Sequence, residues 1–330
     1  MKDNMQVQLA STPESQPLPE HFALVKGAMP KAGENQVLCE TMYLSLDPYM
    51  RSQIAGRHMS GSVNPGDVMR GETVSKVVES HHPDFQEGDL VRCFGGWQNY
   101  SVHDGDSVFK IQKEIANPSY ALSALGMPGL TAYAGMIWQA QPKRGDVVVI
   151  PAAIGGVGSV AGQLAKIHGC TVIGIAGTDE KCDYAVKNLG YDACINRKKG
   201  DLGEQLDKLC PNGIDIFFDL VGGDMLNTVS ERLAVGARVI LCGLMADYNK
   251  TTRSMGPPPA MWIKARAIVY GLVVYDFEPR RDEFVDACVN YIKEGKLTVR
   301  EDVANGLVEA PEAFCRLMRG ENMGKAVVKI

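Results

Sequence analysis

The 330-residue chain lacks the features that mark several special classes of protein. Its nine cysteines form no C-x-x-C pair and are odd in number, so neither a disulfide framework nor a zinc knuckle is indicated. No apolar stretch approaches the roughly 20 residues of a membrane span, and Met1–Met5 does not open an apolar signal peptide. Basic residues (34) do not exceed acidic ones (39). We therefore expect no nucleic-acid or membrane partner, and a cytoplasmic protein with reduced thiols.

Glycine and proline are the residues that the composition does favour. The chain has 35 glycines and 17 prolines, which occur in clusters and not periodically. Such clusters indicate turns and ligand-facing loops in a folded enzyme. The length is typical of about two domains, each large enough for its own core.

The chain up to about Gly126 alternates short apolar runs with Gly, Pro, Asn and Asp. This pattern is typical of short strands folded into a β-barrel. The predicted strands are 37–40, 44–46, 72–78, 89–93, 98–102 and 108–111.

From Gly145 onward the pattern changes to apolar strands that alternate with helical segments, which predicts a parallel sheet covered on both faces. The predicted strands are 147–151, 171–175, 192–195, 214–218, 237–242 and 267–274, and the predicted helices include 159–168, 181–189, 202–209, 225–233 and 281–293. The tail from Thr298 to Ile330 has strand-helix-strand character. We expect it to close onto the first domain.

A buried strand, a glycine-rich turn and a helix start follow one another from Val147 to Ser159. This is the context that a dinucleotide-binding turn requires, because its glycines let the backbone approach a pyrophosphate at the helix N-terminus. Ala153 replaces the usual first glycine, which gives A-x-G-x-x-G. A purely structural turn is the alternative interpretation.

Charged residues after the next two strands bear on which dinucleotide binds. Asp179 lies about 20 residues beyond the turn, where NAD enzymes carry a ribose-binding carboxylate. It also falls at a predicted helix start, where acidic residues are favoured anyway. Lys181 and Arg197 offer cationic groups that suit a 2′-phosphate. We therefore predict NADPH as the cofactor, the alternative being a solvated helix start and surface loop.

Eight motifs spread over the chain carry a family resemblance: residues 44–51, 95–100, 126–133, 152–158, 179–182, 218–223, 242–249 and 322–325. In combination they resemble the medium-chain dehydrogenase/reductase superfamily. More narrowly, the chain is similar to the zinc-free, NADPH-dependent alkenal/one reductases, which include prostaglandin reductases and bacterial curcumin reductases.

This resemblance implies an α/β protein with two nested domains. Residues 1–125 and 300–330 would form a discontinuous GroES-like β-barrel catalytic domain. Residues 126–299 would form the inserted Rossmann domain, a doubly wound parallel sheet that binds NADP. The family also suggests a homodimer, in which the strand 267–274 extends a sheet across the subunits.

The resemblance further assigns cofactor-binding residues by position. The pyrophosphate would lie on the turn formed by Gly155, Gly156, Val157 and Gly158. Lys181 would pair with the 2′-phosphate, and Asn322 would hold the cofactor from the tail. The nicotinamide side would be lined by Cys242, Gly243, Tyr248, Leu272, Val273 and Val274.

Four positions depart from the family pattern. Arg197 stands where many relatives have a tyrosine beside the 2′-phosphate, a change that should preserve or strengthen the preference for NADPH. Leu220 stands where the family has asparagine, so a polar contact is lost. Ser52 and Gln53 replace the usual glycine and arginine at the substrate entrance.

The sequence lacks the cysteine and the Gly-His-Glu of the zinc alcohol dehydrogenases, and we predict no metal site. Instead, Met59 follows His58, and His81 with His82 lies in a turn closed by Pro83. Reduction of a conjugated carbonyl fits better than alcohol oxidation, because hydride transfer to the β-carbon leaves an enolate that needs only hydrogen-bond donors and a proton.

The resemblance places Tyr248 and Tyr49 in motifs similar to active-site segments of the family. We predict Tyr248, followed by Tyr49, as the catalytic donor, since a neutral phenol can stabilise the developing oxyanion. The alternatives are a ribose contact for Tyr248 and a pocket wall for Tyr49. The predicted function is NADPH-dependent reduction of the double bond in α,β-unsaturated ketones and aldehydes, including phenolic enones such as curcuminoids. A quinone reductase and a non-catalytic dinucleotide-binding protein are the competing hypotheses.

Overall fold

The computed structural model describes residues 3–112, 115 and 117–330. Met1 and Lys2, at the start of the segment for which we expect no signal peptide, lie outside the described residues. The chain divides into two compact units. The first comprises Met1–Ser123 and Glu301–Ile330, and the second comprises Ala124–Arg300.

The strands of the described residues are numbered in chain order: β1 Asn4–Leu9, β2 Phe22–Gly27, β3 Gln36–Ser45, β4 Thr73–Ser80, β5 Leu90–Cys93, β6 Tyr100–Asp104, β7 Phe109–Lys110, β8 Val147–Pro151, β9 Thr171–Ala176, β10 Ala193–Asn196, β11 Ile214–Asp219, β12 Leu233–Leu241, β13 Ile268–Gly271, β14 Glu301–Asn305 and β15 Lys325–Lys329.

The α-helices are α1 Met50–Ile54, α2 Met127–Tyr133, α3 Gly158–Ile167, α4 Asp179–Leu189, α5 Leu202–Leu209, α6 Gly223–Ser230, α7 Pro259–Ala265, α8 Arg281–Lys293 and α9 Ala310–Arg319. A π-helical segment, Ala134–Ala140, follows α2 directly. Short 3-10 segments include Met245–Asp247 and Val274–Arg280.

The first unit is built on a folded sheet with the strand order β14-β15-β3-β4-β5-β7, in which β6 also pairs with β3. The tail strand β15 pairs antiparallel with β3, opposite residues 43–45. The predicted return of the tail to the first unit is therefore confirmed. The prediction of two strands at 37–40 and 44–46 is wrong, because two register shifts in the pairing with β4 let β3 continue as one strand.

An antiparallel hairpin, β1 with β2, was not predicted. It contributes Val7 and Leu9, both fully buried, to the core of the first unit. Trp97 lies at the centre of this core, stacked on Phe22 at 5.7 Å and edge-on to Phe314 of α9 at 5.8 Å. Aromatic pairs in such arrangements stabilise a core beyond their buried area.

The second unit is a six-stranded, wholly parallel sheet with the order β10-β9-β8-β11-β12-β13. Two series of strands run outward in opposite directions from β8 and β11, which is the doubly wound topology. Its central strands β8 and β11 are almost entirely buried, as expected for a sheet with helices on both faces. The predicted fold class, α/β with a separate β-sheet unit, is confirmed.

Two features of the second unit differ from the prediction. The last strand stops at Gly271 and does not reach Val274, since a 3-10 segment begins there. The helical segment 127–140 was not predicted. None of the helices in the described residues is long and apolar enough to cross a membrane.

Candidate cofactor and substrate site

The glycine turn follows the carboxyl end of β8 and precedes α3. Its tightest point is Ala152, which adopts a left-handed φ of 51°. The N–H of Gly155 donates to the main-chain oxygen of Ala152 at 2.8 Å, and Ser159 in turn donates to Gly155 at 3.0 Å. The turn therefore places the N-terminus of α3 directly after the carboxyl end of β8, where an anion would be stabilised.

The turn fits a dinucleotide on steric grounds. A Cβ atom at Gly158 would overlap the main-chain oxygen of Ala152, and a Cβ at Gly155 would lie 3.2 Å from the same atom. The packing of the turn against itself thus requires glycine at Gly158 and leaves little room for a side chain at Gly155. Ala153 is fully buried and sits in the turn without a glycine-like conformation, which explains why the first glycine of the usual motif is dispensable here.

The side chain of Tyr191 is hydrogen-bonded to this turn, a contact that the sequence did not reveal. Its hydroxyl donates to the main-chain oxygens of Ala153 at 3.1 Å and Gly158 at 2.8 Å. Burial raises the pKa of this hydroxyl well above its ordinary value, which keeps it a donor. Gly162 of α3 faces the phenol, and any Cβ there would overlap it. The only sequence signal was an isolated tyrosine before β10.

The carboxylate of Asp179 is engaged by its neighbours. It accepts hydrogen bonds from Asn196 at 2.8 Å and from the ammonium group of Lys199 at 2.5 Å. These partners lower its pKa. A carboxylate held in this way is not poised for a ribose hydroxyl, which supports the interpretation of Asp179 as a helix-start residue.

The two predicted cations follow adjacent strands. Lys181 lies in the first turn of α4, where its N–H donates to the Thr178 cap at 3.3 Å. The exposed Arg197 directly follows β10, and its guanidinium lies about 4 Å from where a Cβ on Gly177 would be. Since β9 and β10 are parallel neighbours, both cations belong to the same edge of the sheet.

The predicted nicotinamide residues follow β12 and β13 at that same edge. The N–H groups of Cys242 and Gly243 donate to the main-chain oxygen of Asp219, at the end of β11, at 3.0 and 3.3 Å. Leu272 is buried and donates to Leu241 at 2.9 Å. Contrary to the prediction, Leu272, Val273 and Val274 lie beyond the end of β13 and not within it, because the pairing with β12 stops at Gly271.

Tyr248 directly follows the 3-10 segment Met245–Asp247 and is half-buried. Burial is the main cause that raises the pKa of its hydroxyl, so the phenol is protonated at neutral pH. The preceding Asp247 accepts hydrogen bonds from the hydroxyl and N–H of Ser254, at 2.5 and 3.1 Å. These bonds fix the segment that carries Tyr248.

Leu220 follows Asp219 and is buried. Its main-chain oxygen lies 3.0 Å from where a Cβ on Gly243 would be, so the two loops approach closely at this point. Its side chain is apolar, so this position offers no side-chain hydrogen bond.

In the first unit, Tyr49 directly precedes α1 and stacks on His58, with ring centroids 4.9 Å apart and planes inclined by 30°. Burial lowers the pKa of His58, which keeps the imidazole uncharged at neutral pH. The ring nitrogen Nδ1 lies 2.7 Å from the hydroxyl of Ser60. His58 is thus a packing partner of Tyr49, a role that the sequence did not reveal.

Asn322 lies in the turn before β15, and its amide donates to the main-chain oxygen of Gly324 at 2.7 Å. The neighbouring Lys325 is buried and pairs with the buried Asp47 at 2.9 Å. Asp47 also accepts a hydrogen bond from Ser45. This pair fastens the Asn322 turn to the segment that leads into Tyr49.

Within the part of the chain that the structure describes, no group of three or more His, Cys, Asp or Glu side chains is placed to hold a metal ion. His81 pairs with Glu79 at 2.7 Å, and His58 contacts Tyr49.

A glycine turn at the switch point of a doubly wound sheet, in a chain that also folds a separate β-sheet unit, defines a dinucleotide-dependent oxidoreductase fold. Two families match the corresponding stretches of sequence. The family described as the N-terminal domain of oxidoreductase matches residues 5–111, and the zinc-binding dehydrogenase family matches residues 156–290. The chain belongs to the medium-chain dehydrogenase/reductase family, in the group of the curcumin and alkenal reductases.

Three relatives illustrate this membership. The NADPH-dependent curcumin reductase of Escherichia coli (strain K12) is 43% identical, covering 98% of this chain and 95% of that protein. The NADP(+)-dependent 2-alkenal reductase of Nicotiana tabacum is 40% identical over 90% of this chain and 88% of its own. The crystal structure of CurA in complex with NADPH from Vibrio vulnificus has a TM-score of 0.94 and 42% identity, covering 98% of both chains.

Proposed function

We propose that this protein catalyses the NADPH-dependent reduction of the carbon-carbon double bond in α,β-unsaturated ketones and aldehydes, with curcumin-like enones among its substrates. The observation that carries the proposal is the open turn Ala152–Gly158 with Lys181 and Arg197 at the same sheet edge, in a chain 43% identical to an NADPH-dependent curcumin reductase.

The residues of the second unit would hold the cofactor as follows. The N–H groups of the turn Gly155 to Gly158 would bind the pyrophosphate, and Lys181 with Arg197 the 2′-phosphate. The segment from Cys242 to Tyr248, together with Leu272, Val273 and Val274, would line the nicotinamide. From the first unit, Asn322 would contact the cofactor. When bound, NADPH supplies the hydride for the β-carbon of the substrate.

The protein's own contribution to the chemistry is a hydrogen-bond donor for the carbonyl oxygen, where negative charge develops as the enolate forms. We assign this role to Tyr248, whose raised pKa keeps its hydroxyl protonated at neutral pH. Tyr49 is the second candidate. A donor of this kind is worth about 3 kcal/mol of transition-state stabilisation. The same phenol, directly or through a water, would supply the proton that completes the reduction.

We also propose a separate role for each of the two units. The first unit, Met1–Ser123 with Glu301–Ile330, would be the GroES-like catalytic domain. The second unit, Ala124–Arg300, would be the NADP-binding domain.

The quaternary structure that we propose is a homodimer formed along β13. This strand is an edge of the described parallel sheet, and unpaired edges are sites of strand association. Large apolar side chains are exposed on it and on nearby segments: Ile268 (53%), Ile263 (75%) and Met255 (86%). We further propose a cytoplasmic location, since all nine cysteines are free thiols.

The proposed reaction is tested by mixing the purified protein with NADPH and a simple aliphatic enone and following the loss of nicotinamide absorbance. The expected product, identified by mass spectrometry, is the saturated ketone. An allylic alcohol as product, or no turnover with any enone, would contradict the proposal. Faster turnover of quinones than of enones under anaerobic conditions would favour quinone reduction. Tight NADPH binding with no acceptor reduced would indicate a non-catalytic protein.

A further inference from the structure

Asp219 is a fully buried carboxyl group at the end of β11, next to the loop that we assign to the nicotinamide. Its Oδ1 atom accepts hydrogen bonds from the N–H groups of Val221 and Gly222, both at 2.9 Å. Its Oδ2 atom is buried and has no hydrogen-bond partner among the described residues. A buried carboxylate that is only half satisfied is costly, so its presence needs an explanation.

The turn that Asp219 holds is joined to the loop 242–248 by main-chain hydrogen bonds. Asp219 accepts from Cys242 and Gly243, and Val221 accepts from Ala246 at 3.0 Å. Gly222 adopts a left-handed φ of 71°, which a side chain would strain, and leads directly into α6. The position of the loop is therefore coupled to the conformation of the turn, and that conformation depends on the two bonds to Oδ1.

The charge on Asp219 changes close to physiological pH. Burial raises the pKa of its carboxyl to about 6, and the N–H groups of Gly222 and Val221 oppose this rise. The titratable group that faces it is the Cys242 thiol, whose pKa is raised to about 12 by burial and by Asp219. Cys242 stays neutral between pH 5 and 8, so Asp219 is the group of this pair that titrates in that range.

We propose that Asp219 is a positioning residue for the cofactor, whose ionised carboxylate holds the loop 242–248 in its nicotinamide-binding form through the turn 219–222. This role rests on the proposed function, because it takes the loop to be part of the cofactor site. Hydrogen bonds to an ionised acceptor are roughly twice as strong as those to a neutral one. The two bonds to Oδ1 lower the pKa of this carboxyl, so losing them while the carboxyl stays buried would raise it. Protonation near pH 6 therefore favours the form in which both bonds are broken and the loop is less ordered.

The test compares the wild-type protein with Asp219→Asn, which keeps an oxygen acceptor for both N–H groups but cannot ionise. The dissociation constant of NADP+ is measured by calorimetry from pH 5 to pH 8. We expect Asp219→Asn to bind about tenfold more weakly at pH 8, since it loses two charge-assisted bonds, and the ratio of the two constants to fall toward one at pH 5.

The ratio of the two dissociation constants distinguishes the titration of Asp219 from the titration of the ligand. The 2′-phosphate of NADP+ also titrates near pH 6, but it does so equally in both proteins. NAD+, which lacks that phosphate, should give the same ratio. Asp215→Asn is the matched control, because Asp215 lies in the same strand and accepts from Val147 at 2.8 Å. It should leave the pH dependence unchanged.

A ratio that is constant from pH 5 to pH 8, or an equal effect of Asp215→Asn, would overturn the positioning role while leaving the proposed reductase intact. A wild-type protein that binds no dinucleotide would instead overturn the proposed function, and the positioning role with it. If Asp219→Asn does not fold, hydrogen exchange at Val221 and Gly222 of the wild type decides the question. We expect their protection, corrected for intrinsic rates, to fall below pH 6, and constant protection would contradict the proposal.

Discussion

Among single residues, Asp179 shows most clearly how neighbours decide the role of a side chain. It stands at about the distance from the glycine turn where an NAD enzyme carries its ribose-binding acid. Its carboxylate, however, is bound by Asn196 and Lys199. The cations Lys181 and Arg197 follow the neighbouring strands β9 and β10, and two positive charges at this edge favour a phosphorylated ribose.

We expect Lys181→Ala to weaken NADPH binding by about 10- to 100-fold and NADH binding by less than threefold, because a charged hydrogen bond contributes about 1.5–3 kcal/mol. Fluorescence titration with both cofactors measures the difference. Lys187→Ala is the matched control on the same helix, since Lys187 pairs with Asp183 on the surface at 2.7 Å. Equal losses for NADPH and NADH would contradict the assignment of the 2′-phosphate to Lys181.

For the catalytic phenol, we expect Tyr248→Phe to lower kcat for an enone by about 10²- to 10³-fold with NADPH affinity nearly unchanged. The hydroxyl acts on charge that develops in the transition state, so the ground-state complex is little affected. Steady-state kinetics together with NADPH titration separate these effects. Tyr49→Phe tests the second candidate, and Tyr184→Phe in α4 is the control. If only Tyr49→Phe lowers kcat, the donor is Tyr49 and our first choice is wrong.

Among the elements, the tail strand β15 is joined to the segment before α1 by one buried ion pair. Lys325 donates to the carboxylate of Asp47 and to the main-chain oxygens of Leu46 and Ala326. The pair joins residues 278 positions apart in sequence. It therefore ties the tail to the segment before α1, where Tyr49 lies.

We expect Lys325→Met to lower the free energy of unfolding by about 3–5 kcal/mol, because it leaves the carboxylate of Asp47 buried without its counter-ion. Urea denaturation measures the change. The double variant Lys325→Met with Asp47→Asn should recover part of the loss, since it removes the uncompensated charge. A loss below about 1 kcal/mol in the single variant would show that the pair is not needed to hold the tail.

In the glycine turn, the conformation of each position decides whether glycine is required there. The helix α3 begins where the motif predicts, but the left-handed position is Ala152, one residue before the replaced glycine. The turn therefore tolerates Ala153 because that residue has an ordinary φ angle. Gly158 cannot be replaced in the same way, since a Cβ would overlap the backbone.

For the whole molecule, the exposed apolar edge at β13 leads to a prediction about assembly. We expect the wild type to sediment as a dimer and Ile268→Lys to shift it toward the monomer, because a charge at a paired edge is costly to bury. Val235→Lys is the control, since Val235 is also exposed (71%) but lies at the start of β12. A monomeric wild type at micromolar concentration would contradict the homodimer.

Much of the second unit could be predicted from sequence because its signals are local. The strand Val147–Pro151 and the helices Leu202–Leu209 and Arg281–Lys293 have the predicted bounds. The first unit was harder. The hairpin β1 with β2 escaped prediction although β1 alternates polar and apolar residues; its partner β2 has a single buried residue, Phe22. The continuity of β3 escaped because it depends on register shifts against β4.

In the candidate site, too, some residues could be predicted from the sequence and others could not. Glycines at fixed spacing after an apolar strand identify the glycine turn between β8 and α3, since a side chain at Gly158 would overlap its backbone. Tyr191, His58 and Asp219 gave no such signal. Their roles depend on partners brought near by folding: the turn oxygens for Tyr191, the ring of Tyr49 for His58, and two backbone N–H groups for Asp219.

The sequence by itself determined the alternation of strands and helices and the place of the glycine turn, because both depend on residue types at short, regular spacing. The tertiary structure alone decided which charges are free to act. It engaged Asp179 with Lys199, buried Asp219 beside Cys242 and paired Lys325 with Asp47. The pKa and availability of a charged group depend on burial and on partners distant in sequence, and these exist only in the folded chain.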